Sequence, residues 1–224
     1  MRFLSIVMLI LKKDLKDEFR RKENILASFF FAFLSLVLFH FSLDPTMVDL
    51  SQSGSGLLWL IVIFAGSLFM GNIFKKEEEN GTFYALMLAP GDRSALFLGK
   101  FLANLVFLIM LEVFLLFLAF VFLNVPVLSS PFGIPLIFIF VDIGYASLGT
   151  LISALLVGER GASILYPLLL YPLLIPLFMA ATTLTGLAVA KQPVFDSPWL
   201  RLVILFDILF VAAGTILFEY AVEE

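Results

Sequence analysis

Few residues of this 224-residue chain could do chemistry, and most of those lie where a charge is expensive. Glu112, Asp142 and Asp207 are acids inside long apolar runs. A charge at the centre of a bilayer costs about 2.5–3.5 kcal/mol on insertion scales. Such acids either line a pathway or relay protons, or stay protonated and hydrogen-bond a neighbouring helix, and the sequence leaves both readings open. His40, the single histidine, has an imidazole that could ligate haem iron. Between Phe39 and Phe41, however, a histidine more often serves as an aromatic anchor at a helix end. With no Cys there are no disulfides, thiolate nucleophiles or thiolate metal sites. Neither H-E-x-x-H nor G-x-S-x-G occurs, so no catalytic residue and no metal centre is expected. The nearest string to a phosphate-binding loop, Gly91 to Lys100, has the wrong spacing and places Phe101 where a magnesium-binding hydroxyl belongs. Any use of ATP must run through a partner.

The elements that carry these residues follow from composition. Apolar residues make up 62% of the chain and charged ones 14%, against about 45–50% and about 25% in soluble domains. A formal charge of −4 excludes a broad basic field for nucleic acid. Apolar runs at 25–43, 57–74, 96–123, 134–157, 164–190 and 199–218 are each long enough to cross a bilayer. The expectation is one all-α integral membrane domain over 1–224, with six transmembrane helices and no soluble domain. Seven Lys and Arg precede the first run, none separates the first from the second, and four lie from Lys75 to Lys100. This bias puts the N-terminus in the cytoplasm, and six spans return the C-terminus there. Lys12 to Glu23 follow the first apolar stretch where a signal peptide would carry a cleavage site. Val7, Leu11, Leu15 and Phe19 recur every four residues, which predicts an interfacial amphipathic helix over 1–24. It is either an anchor or an elbow packed on the bundle. Pro167, Pro172 and Pro176 fall inside the fifth run and mark either a moving bend or ordinary packing. Trp59 and Trp199 read as interface residues.

Between the second and third runs, 75–95 form a charged loop. Asn80 or Thr82 can cap a short helix in which Phe83, Leu86, Met87 and Pro90 recur at i, i+3, i+4 and i+7. Nothing inside the chain is expected to cover that face, which suits either lipid or a groove on another protein.

Three stretches resemble the CcmB family, the B subunit of the cytochrome c maturation haem exporter and a permease of the ABC-2 type. They are Lys13 to Glu23; Gly56 to Trp59 through Phe64 to Gly66, Glu77 to Gly81, Leu86, Leu88, Pro90 and Gly99-Lys100; and Leu148 to Thr150 through Gly161 to Pro167–Pro176. The resemblance implies a six-span permease of the bacterial cytoplasmic (inner) membrane, paired with an ATP-binding cassette ATPase and haem-handling membrane subunits, with room for a second copy of itself. ATP would be bound by the partner, and haem would be cargo rather than a resident cofactor. Glu77, Glu78, Gly81, Phe83, Leu86, Met87 and Pro90 would then belong to a cytoplasmic coupling helix seated on the ATPase. Asp142 and Asp207 match no family motif. Two other readings stand beside this one: an ABC-2-type exporter for a lipid, drug or polysaccharide, and a proton-coupled carrier built on the three acids.

Overall fold

A computed structural model describes residues 3–42, 50–83, 93–123 and 133–221. The described residues are helical: α1 (Phe3–Arg21), α2 (Glu23–Ser42), α3 (Leu50–Met70), α4 (Lys75–Glu79), α5 (Arg93–Leu123), α6 (Gly133–Leu155), α7 (Ala162–Val189) and α8 (Pro198–Ala221). Five of them, α2, α5, α6, α7 and α8, are long and apolar enough to cross a membrane. The chain is therefore a multi-pass, all-helical membrane protein. The second expected span falls on α3, whose apolar part, Gly54–Met70, is shorter. It ends earlier than the apolar pattern suggests, because Gly71 to Phe74 form turns before α4.

The bundle is organised around α6, most of whose span is buried inside the protein. Its sequence explains this, since Gly144, Ala146, Ser147, Gly149, Thr150 and Ser153 present little bulk and let neighbouring helices approach. The contact with α8 is closest at Gly144, where a Cβ would fall 2.6 Å from Asp207 Oδ1 and 2.8 Å from the Phe206 ring. α2 and α8 sit at the periphery, with apolar side chains such as Leu38, Phe41, Leu205 and Ile208 facing outward.

Trp59 is not an interface residue. It is 1% exposed, donates its indole N–H to Thr185 Oγ1 at 2.9 Å, and packs on Phe138 and Phe178. A buried indole needs a partner for its N–H, and Thr185 supplies one that the sequence could not show. Pro167, Pro172 and Pro176 lie within an uninterrupted α7, held to α3 by a hydrogen bond between the Tyr171 and Ser67 hydroxyls at 2.9 Å. α1 packs along α5: a Cβ on Gly99 would lie 2.6 Å from Ile10 Cγ2 and 3.3 Å from the Val7 carbonyl. Among the two readings of the N-terminal helix, this contact favours one packed on the bundle.

Candidate functional site

α4 is one turn of charged residues, and its end is set by backbone chemistry. Thr82 N–H donates to the Glu77 carbonyl at 2.8 Å and Gly81 N–H to the Glu78 carbonyl at 3.0 Å, the paired bonds of a Schellman cap. Gly81 takes φ +62 there, a left-handed conformation that glycine adopts without strain. Helix resumes at Phe83, just after Thr82. Phe83 turns inward and meets the Phe74 ring edge-on at 5.8 Å, so this member of the expected apolar face is covered by the chain itself. Leu86, Met87 and Pro90 lie outside the described residues.

Glu77 is the centre of a buried ionic cluster. Its side chain is 3% exposed, and Oε1 accepts hydrogen bonds from Lys13 Nζ at 2.6 Å and Lys100 Nζ at 2.8 Å. Lys100, 1% exposed, also donates to the Ile73 carbonyl at 2.8 Å and lies 3.3 Å from Asp14 Oδ2. Asp14 Oδ1 is 3.3 Å from Lys13 Nζ, closing the ring of charges. The Lys100 ammonium also sits 5.0 Å from the centre of the Phe74 ring, within cation–π range. Burial works against the Glu77 carboxylate, but the Lys100 charge and the hydrogen bonds from both lysines outweigh it and hold its pKa below the ordinary 4.5. Burial likewise opposes the Lys13 ammonium, and the bond to Glu77 with the charge of Asp14 overcomes it, raising its pKa above 10.5. Lys13, Asp14 and Lys100 escape a motif search because the cluster joins residues 64 and 23 positions apart. The one local sign is a lysine directly after Gly99 inside an apolar helix.

Glu78 points the other way. Exposed to solvent, its Oε1 accepts from the Gly158 N–H at 3.0 Å, tethering α4 to the turn before α7. A cleft of about 260 Å³ opens beside this tether, between Asn72, Lys75 and Glu78 on one side and Ser153, Ser163 and Tyr166 on the other.

The acids of the spans form no part of that cluster. Glu112 on α5 and Asp142 on α6 are 3% and 0% exposed, with their carboxyl groups beside one another. Asn104 on α5 donates to Thr150 on α6 at 2.7 Å. Both polar rungs are eight residues apart on each helix, so they mark one antiparallel register. Asp207 lies against Gly144, away from the rungs. Among the described residues no ion pair reaches any of the three acids. His40 is exposed, with its ring edge-on to Phe41 at 5.3 Å and to Phe122 at 5.7 Å. Among the described residues no three His, Asp or Glu side chains gather to hold a metal ion.

A bundle of helices, five of them long and apolar enough to cross a membrane, defines a multi-pass membrane protein. Residues 5–223 match the model of the family described as CcmB protein, and the chain belongs to that family. It is 27% identical over 182 residues to Heme exporter protein B of Pseudomonas aeruginosa, covering 78% of each chain. It is also 30% identical over 177 residues to the Rhodobacter capsulatus protein of the same name, covering 75% of this chain and 76% of that one. Against the Haemophilus influenzae protein of that name the figures are 26% over 195 residues, with 84% and 85% covered.

Proposed function

We propose that this chain is the permease subunit of an ATP-driven exporter for c-type cytochrome biogenesis, with hydrolysis carried out by a separate ATPase subunit and haem handled with further membrane subunits. The observation that carries the reading is the family match across nearly the whole chain, with relatives named as haem exporters. A sixth span on α3, an inner-membrane location and cytoplasmic termini complete it, supported by the concentration of Lys and Arg before α2 and around α4. The ATP-driven step either moves haem outward or frees a haem-loaded chaperone on the far side. Force enters at 75–95, where Glu78, Leu86, Met87 and Pro90 form the seat for the ATPase, while buried Glu77 and Phe83, with the Gly81 turn, fix that segment to the bundle. Closure of two ATPase subunits then rocks the bundle between two arrangements.

Co-purification from native membranes, followed by identification of what travels with the chain, tests the company it keeps. An ATPase together with haem-handling proteins supports the reading, whereas an ATPase without them moves the cargo to a lipid, drug or polysaccharide. Leu86→Glu or Met87→Glu places a charge on the proposed seat and is expected to abolish cytochrome maturation. Normal maturation in cells carrying either variant, with the complex assembled, would show that force does not enter there.

A further inference from the structure

We propose that α1, α4 and α5 form one rigid unit locked at one end by Lys13, Asp14, Glu77 and Lys100, and that this unit parts from the turn before α7 at the Glu78–Gly158 tether. The inference rests on the coupling role proposed for 75–95 and names the parts that its movement carries.

Lys100 makes two hydrogen bonds and one further ion pair, and its three partners come from three separate pieces of chain. They are the Ile73 carbonyl in the turn after α3, Glu77 on α4 and Asp14 on α1, at 2.8, 2.8 and 3.3 Å. Withdrawing any one leaves a buried charge short of its partner, which is far costlier than breaking an exposed pair. Lys13 adds a second strut from α1 to the same Glu77 oxygen. Below the charges, Gly99 brings α5 against the Val7 carbonyl and the Ile10 side chain of α1, so packing and charge hold the same two helices. Salt screens such a buried cluster poorly. The opposite side of α4 is different in kind, since among the described residues an exposed hydrogen bond from Gly158 to Glu78 joins it to the turn before α7, beside an open cleft. α4 thus has one edge that holds and one that can let go.

The absence of Cys makes the chain suited to paired spin labels, read by pulsed electron resonance in the complex purified with its ATPase. Leu9, Val113 and Ile164 are 58%, 63% and 73% exposed and take no part in the cluster. With Leu9→Cys and Val113→Cys, the distance from α1 to α5 is expected to be the same without nucleotide and with ATP trapped. With Leu9→Cys and Ile164→Cys, the distance from α1 to α7 is expected to shift by several ångströms. Adding Lys100→Met to the first pair should broaden its distribution without any nucleotide. A shift of the Leu9–Val113 distance on ATP binding overturns the lock, as does a distribution left narrow by Lys100→Met. Should Lys100→Met fail to accumulate, the two native-sequence pairs still decide. If neither distance responds to ATP, the coupling reading and the proposed movement both fail, and the lock is judged on Lys100→Met alone.

Discussion

Glu77 shows how much a single buried carboxylate can determine in a chain with few charges. Its pKa is held below 4.5, so the stability it contributes is fully present above that ordinary value and is lost as pH falls through the lowered one. Lys13 has the opposite sign, its contribution being present below 10.5 and lost only as pH rises through its raised value. Between these limits neither contribution is lost. Glu77→Gln removes the negative charge between two lysines, and breaking a buried pair in this way costs about 3–5 kcal/mol. Thermal unfolding in detergent should show a clear drop in melting temperature at neutral pH. The gap between native chain and variant should then narrow once pH falls below 4.5, as the native carboxylate takes up its proton. An equal gap at every pH would mean that shape, rather than charge, makes Glu77 matter.

At the scale of helices, the sequence exposes some things and hides others for definite reasons. Span-length apolar runs are local properties, so α2, α5, α6, α7 and α8 were all readable as membrane helices. The end of α3 was not, because Gly71 to Phe74 turn before the charges that bound the run, with Ile73 and Phe74 still apolar. Trp59 and Phe83 look like surface residues by composition, and their inward direction depends on Thr185 and Phe74, partners set by tertiary packing. The acids Glu112 and Asp142 were visible, but their pairing was not, since it depends on the α5–α6 register that Asn104 and Thr150 also mark. That register favours a structural role, with two polar rungs fixing two helices in the manner of polar contacts between membrane helices. Glu112→Gln with Asp142→Asn keeps donors and acceptors on both helices. The double variant is therefore expected to insert and to support cytochrome maturation within about twofold of the native chain, a change of less than about 0.5 kcal/mol. Loss of function with normal assembly would instead place these acids on a pathway.

For the whole molecule, the question is where energy comes from. In the proposed function, ATP is hydrolysed by a partner, in keeping with a chain that is 62% apolar and carries no phosphate-binding loop motif. Its charge is gathered at α1, α4 and the start of α5, which is where an external motor could act on it, while its acids within the spans are packed between helices. Both features suit the proposed permease better than a carrier driven by a proton gradient, which would need those acids to exchange protons with both sides. Reconstituted alone in vesicles, the chain is expected to hydrolyse no ATP above the empty-vesicle background and to move no haem under an imposed proton gradient. Addition of the ATPase that co-purifies with it should confer ATP hydrolysis sensitive to Leu86→Glu. Gradient-driven transport by the lone chain, abolished by Asp142→Asn, would reverse the assignment and make the buried acids, rather than the ionic cluster around Glu77, the working part of the bundle.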